Sequence, residues 1–155
     1  MFHCLHWHTL KLFVITYVLF AAANIAWFCY LMKDFYKEHL AAVGHIPEMG
    51  MFSTHHMLIL LAWALVAGGF VTFVIAHTHG SYLCALYKGA MYGLIIGGSH
   101  QILNYVMISH WPLEVVYYTI AWKVAVFAIL AVLMEYIAVL LDFEHAHSCH
   151  CQEGK

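Results

Sequence analysis

Four apolar runs take up most of this chain, and nothing else in it constrains the fold as tightly. They extend over Thr9 to Met32, Phe52 to Ala76, Tyr82 to Ile108 and Leu113 to Leu141. Crossing a hydrocarbon core takes about 20 mostly apolar residues as a helix. Such a segment must also close its backbone hydrogen bonds internally, because lipid offers none. The runs are too long for barrel strands and show no strict alternation of apolar and polar residues, so helices are expected. Composition agrees: the 155 residues are 65% hydrophobic and 9% charged, where soluble domains carry roughly 25% charged residues. We therefore read an all-α integral membrane protein, a multi-pass four-transmembrane-helix bundle with an interfacial segment after the first helix. Residues 1–155 form a single membrane domain that ends in a His/Cys-rich tail over 142–155.

The first run imitates a signal peptide, since Ala21, Ala22 and Ala23 follow an apolar stretch behind Lys11. It continues to Met32, however, which is too long for a signal h-region, and is expected as a retained helix. The chain has no arginine and no basic patch, which gives no support to nucleic-acid binding. Its five cysteines (Cys4, Cys29, Cys84, Cys149 and Cys151) show no disulfide-framework spacing.

An even number of crossings places both termini and the loop between the second and third runs on one face. The lysines are divided between the two faces, so the positive-inside rule assigns no orientation. The connection from Lys33 to Gly50 interleaves Phe35, Tyr36 and Leu40 with charges before Gly44 and Pro47 break it. It is expected along the headgroup layer. The short connections HTHGS and SHWPL make the second and third runs, and the third and fourth, antiparallel neighbours.

The third run carries Gly89, Gly93 and Gly97 at four-residue spacing, a small-residue stripe that admits another helix backbone at close range. The same run then becomes polar. Ser99, His100, Gln101 and Asn104 interrupt it, with His100 and Asn104 as an i, i+4 pair on a neighbouring face. If the chain reverses around Trp111 and Pro112, His100 and Lys123 each lie about eleven residues, or about 17 Å, from the turn. That depth is near the middle of the bilayer. A lysine there costs several kcal/mol unless it is neutral, paired or hydrated. The expected arrangement is an inward-facing midplane site of Asn24, Ser99, His100, Gln101, Asn104, Thr119 and Lys123. The same construction sets Lys88 level with Glu135 as an ion pair. Interhelical hydrogen bonding alone would also account for the uncharged members, at about 0.6 to 2 kcal/mol per bond.

The ends are rich in ligand types. His3, Cys4, His6 and His8 at the N-terminus, His77 and His79 in the second loop, and His145, His147, Cys149, His150 and Cys151 in the tail all fall on the terminal face. Imidazole and thiolate together suit copper or zinc, although solvated His-rich tails also bind metals adventitiously. A haem would need histidines on facing helices at one level, which His55 or His56 with His110 satisfy only loosely.

Several motifs carry a family likeness. Asn24-Ile-Ala-Trp27 followed by Asp34-Phe-Tyr-Lys37, Gly89 to Gly93 leading into His100-Gln101-Ile-Leu-Asn104, and Trp111-Pro112-Leu113 followed by Trp122 resemble the pattern of small four-helix bacterial membrane proteins grouped as domain of unknown function family 2177. There the corresponding stretches are Asp-x-x-Trp with a Phe-Tyr pair, and Tyr-Asp-x-Thr-Asn. The resemblance spans roughly residues 10 to 140 and implies the fold and the membrane placement. This chain has Asn24, Gln101 and Thr119 where that pattern is acidic, and Lys123 where it has glycine.

No nucleophile–base set or other catalytic motif appears. The expectation is a small membrane-embedded binding or accessory subunit. It would pack by its glycine stripe into a larger membrane complex or homo-oligomer and hold a transition metal at its His/Cys-rich face. The alternatives are a proton- or metal-ion transporter or channel working through His100 and Lys123, and a haem- or copper-containing redox membrane protein.

Overall fold

A computed structural model describes residues 2–43, 54–75 and 81–150, with side chains except at 2–8, 42, 54–56 and 141–150. Five α-helices follow in order: α1 (Phe2–Ala26), α2 (Lys33–His39), α3 (Thr54–Phe73), α4 (Tyr82–Met107) and α5 (Leu113–His150). Among the described residues there is no strand. Among the described residues two segments are long and apolar enough to cross a membrane, Thr9–Leu31 and Leu113–Leu140, and Met57–Phe73 forms a shorter apolar helix. α4 is equally long but carries Lys88 and the polar stretch Ser99, His100 and Gln101.

The outer surface is apolar. Leu65, Phe73, Leu83, Val106 and Met107 are all at least 70% exposed, a continuous greasy surface that water does not tolerate on a monomer.

α1 does not pass directly into α2. Residues Trp27–Leu31 form a π turn, closed by the Met32 N–H on the Trp27 carbonyl at 2.9 Å. Such single-turn widenings of a helix cluster at functional sites. α2 then folds back with Phe35 and Tyr36 turned inward and Lys33, Asp34, Lys37 and Glu38 exposed, the amphipathic split that its sequence leads one to expect.

The closest packing joins α4 to α5. A Cβ added at Gly89 would strike the Phe127 carbonyl oxygen, and one at Gly93 the Lys123 carbonyl group. One at Gly97 would lie 2.8 Å from Lys123 Cβ. The stripe is thus occupied within the chain by α5, and it is not the free face for a larger assembly that the sequence suggested.

This contact also corrects the level of the two helices. Lys123 stands opposite Gly93 and Gly97, about one helical turn from the height of His100, and Thr119 takes the place across from His100. Lys88 comes level with the Phe127–Ala131 turn, within about one helical turn of Glu135. The reason lies in the reversal. Pro112 opens α5, with its carbonyl accepting from Val116 N at 3.4 Å, as a proline does in a first helical turn. The chain therefore turns at Ile108–His110, where His110 adopts φ 63°, and not around Trp111–Pro112.

Inside, one half of the bundle is filled by aromatic rings. Phe127 lies 4.9 Å from Phe20, 5.2 Å from Phe70 and 5.1 Å from Tyr92, centroid to centroid. Val74, Ala85, Leu130, Ala131 and Met134 complete this core. Tyr92 ties α4 to α3 by donating to the Val66 carbonyl at 2.8 Å. The other half, beyond Phe20, is not filled.

Candidate functional site

The unfilled half holds a cavity of about 330 Å³ bounded by residues of α1, α3, α4, α5 and the π turn. Its walls are Phe20, Phe28, Ile59, Ala62, Trp63, Val66, Ile96 and Gly97, with four polar side chains among them: His100, Gln101, Thr119 and Lys123. Cavities of this kind, mostly apolar with a few convergent polar groups, are where small molecules bind.

Lys123 is the centre of it. Its Nζ donates to Asn24 Oδ1 at 2.5 Å, and Asn24 is fully buried, with its Nδ2 donating to the Phe20 carbonyl one turn back at 2.7 Å. The amide is thereby oriented by its own helix, oxygen toward the lysine. The ammonium also lies 4.8 Å from the centroid of Phe20 and 6.0 Å from that of Phe28, within cation–π range. Among the described residues no carboxylate meets it: Asp34, Glu38 and Glu114 are exposed, and Glu135 lies three turns farther along α5. The site therefore contains a cation held by neutral partners.

A second network closes the cavity from the side of α2. Trp27 Nε1 donates to Tyr36 Oη at 3.2 Å, and Tyr36 Oη shares a 2.8 Å hydrogen bond with Thr119 Oγ1. Trp27 also stacks on Trp122 at 4.2 Å and 8°, and Phe35 meets Tyr118 edge-on at 4.9 Å. The π turn makes this possible by carrying Trp27 and Phe28 toward α5 before α2 folds back. Gln101 is buried and accepts from Trp111 Nε1 at 3.2 Å, which fastens the α4–α5 reversal to the site.

Of the seven side chains expected at midplane, five are gathered here: Asn24, His100, Gln101, Thr119 and Lys123. Ser99 and Asn104 are not. The Ser99 hydroxyl is exposed and donates to the Ile95 carbonyl of its own helix at 2.5 Å, the usual back-bond of a helical serine. Asn104 is half-buried and makes no side-chain hydrogen bond among the described residues. Trp27, Tyr36, Trp63 and Trp122 belong to the site although nothing in a hydropathy reading singles them out. Trp27, Tyr36 and Trp122 do fall in the stretches that carry the family likeness, and Trp27 and Trp122 lie within a turn of Asn24 and Lys123, whereas Trp63 on α3 has no such signal.

Among the described residues no three His, Cys, Asp or Glu side chains converge as a metal-binding group. The side chains of His3, Cys4, His6, His8, His145, His147, Cys149 and His150, and all of His77, His79 and Cys151, lie outside the described residues, as do the side chains of His55 and His56. Glu135 is buried at 4% exposure and Lys88 half-buried.

The model of a family described as predicted membrane protein (DUF2177) matches residues 9–136. No curated protein and no solved structure gives a match. The matched span runs from the first apolar turn of α1 to Tyr136 of α5 and takes in every residue of the cavity, with an apolar outer surface and two helices able to cross a bilayer; this chain is a membrane protein belonging to the DUF2177 family.

Proposed function

We propose that the chain crosses the bilayer four times and acts as a small-molecule-binding membrane protein, with the cavity around Lys123 as its binding site. The observation that carries this reading is the hydrogen bond from Lys123 to Asn24 at the edge of that cavity. A charged amine inside a membrane bundle is expensive to keep, and the chain keeps one facing a cavity instead of burying it in a salt bridge. Four crossings are supported by the packing. α4 lies against α5 over its length and antiparallel to it, and α3 is antiparallel to α1, so each short or polar helix accompanies one that is long and apolar.

A transport reading is less well supported. His100 and Lys123 line one cavity, but the Phe20, Phe70, Phe127 and Met134 core occupies the rest of the bundle interior. Among the described residues that core forms a floor beneath the pocket. A copper or zinc ion at the His/Cys-rich ends is a separate proposal that rests on the sequence.

Native mass spectrometry of gently extracted protein tests the binding role. The expected result is a bound small molecule that is lost when Ala62→Phe fills the cavity. Protein whose mass equals the chain alone under all gentle extraction conditions would overturn it. Cysteine labelling from either side at positions 37 and 81 tests the crossings, with the two sites expected to react from opposite faces.

A further inference from the structure

Taking the cavity as a binding site, we infer that its ligand is a long-chain monocarboxylic acid whose head pairs with Lys123 and whose chain leaves between α3 and α4. Three observations support this. The first is charge. Lys123 is held by the neutral Asn24 and by two ring faces, no acidic side chain lines the cavity, and none among the described residues reaches it. A buried cation without a counter-ion is strongly unfavourable, whereas one paired and hydrogen-bonded is tolerated. An anionic ligand supplies the missing partner, and His100, on the same wall, offers a second donor.

The second is the shape of the opening. Ile59 and Ala62 of α3 and His100 of α4 line the cavity and are also exposed. The two helices are joined at the inner edge of the cavity, where Tyr92 bonds the carbonyl of Val66 and lies beside Gly69. They part on the cavity side. In a chain that crosses the bilayer, this gap faces acyl chains, so a ligand with an apolar tail enters sideways without passing through water. The volume, about 330 Å³, is at the lower end of the roughly 300–1,000 Å³ of small-molecule pockets. It suits a head and the first part of one chain, with the remainder outside in lipid.

The third is the donor set. A phosphate monoester carries about −1.5 to −2 charge at neutral pH and is usually met by several donors at once, arginine forks, lysines or backbone N–H groups together. This chain has no arginine, and the backbone around the cavity is helical, with its N–H groups already bonded. One point-like ammonium matches one carboxylate.

The test uses the full chain in detergent micelles, with cis-parinaric acid as the fluorescent probe, excited by energy transfer from Trp63 and Trp122. Palmitate, methyl palmitate and hexadecyl phosphate are the competitors. Saturable binding is expected, with palmitate displacing the probe at least tenfold better than the methyl ester or the phosphate. Lys123→Met should weaken probe binding at least tenfold. Because the ester comparison is made on the unaltered protein, it decides the matter even if Lys123→Met folds poorly. Equal displacement by acid and ester, or better displacement by the phosphate, overturns the carboxylate assignment, and Ala62→Phe then separates the two levels. If that variant abolishes all binding, the cavity is a binding site for another chemistry. If it changes nothing, the cavity reading falls as well, and the ligand assignment with it.

Discussion

The amine of Lys123 on α5 and the side-chain oxygen of Asn24 on α1 are hydrogen-bonded at 2.5 Å, ninety-nine positions apart in sequence. Because Asn24 also donates to its own helix at Phe20, its oxygen is aimed before the lysine meets it. Replacing Asn24 by Leu leaves the ammonium without that acceptor. A loss of about 1–3 kcal/mol is expected from stranding a buried polar group, measured by denaturant titration in micelles followed by tryptophan fluorescence. Adding Lys123→Met to Asn24→Leu should restore most of the loss, since both partners are then apolar. Additive losses in the double variant would show that the two groups do not depend on each other.

The glycines of α4 separate by position. At Gly93 a methyl group would collide with the Lys123 backbone, while at Gly98 it would meet nothing within 4 Å. Gly93→Ala is expected to destabilise by about 1–3 kcal/mol, as overpacking does. Gly98→Ala should be neutral or stabilising by up to about 1 kcal/mol through helix propensity. Equal effects at the two positions in the same unfolding assay would contradict the described α4–α5 packing.

Tyr36→Phe removes the hydroxyl that joins Trp27 to Thr119 and leaves the ring contacts of Phe28 and Phe35 in place. A cost of about 0.5–1.5 kcal/mol follows for the lost bonds. Hydrogen–deuterium exchange should rise in α2 and in the Trp27–Leu31 turn before it rises in α4. A uniform rise across the chain would instead show that α2 opens only with the whole bundle, against a local role for this hydroxyl.

Metal content can be read directly. If the His/Cys-rich ends hold copper or zinc, purified protein should carry a stoichiometric ion that is lost when His145, His147, Cys149, His150 and Cys151 are replaced by alanine. Elemental analysis that finds equal metal in both forms would reject a dedicated site there.

Much of this arrangement is visible in the residues themselves. Run length and the scarcity of charge point to helices in a membrane. The cost of a lysine in lipid predicts that Lys123 faces inward, and Asn24 and Gln101 on other helices and Thr119 one turn away on the same helix are identifiable as its neighbours because polar side chains in the bilayer have nowhere else to go. Less legible was the height of α4 against α5. It depends on which residue reverses the chain, and Pro112, which looks like a turn residue, begins α5 instead. Ser99 was misplaced for a different reason: a serine in a helix can satisfy itself on the preceding turn, so its polarity says nothing about the direction it faces. The aromatic closure by Trp27, Tyr36 and Trp122 has no hydropathy signature, since tryptophan and tyrosine at a membrane boundary are ordinary interfacial anchors.

The widened turn at Trp27–Leu31 amounts to one surplus residue in an otherwise regular spiral. It swings the end of the turn by about 100° relative to an uninterrupted helix, and the non-helical Met32 (φ −118°, ψ 16°) then turns α2 back from that position, so that Tyr36 meets Thr119. Deleting Cys29 would take out the surplus and straighten the spiral, leaving Asn24 where it is while carrying the α2 hydroxyl around to the wrong side. One codon, and no change in hydropathy, would then detach the cover of the cavity from its frame.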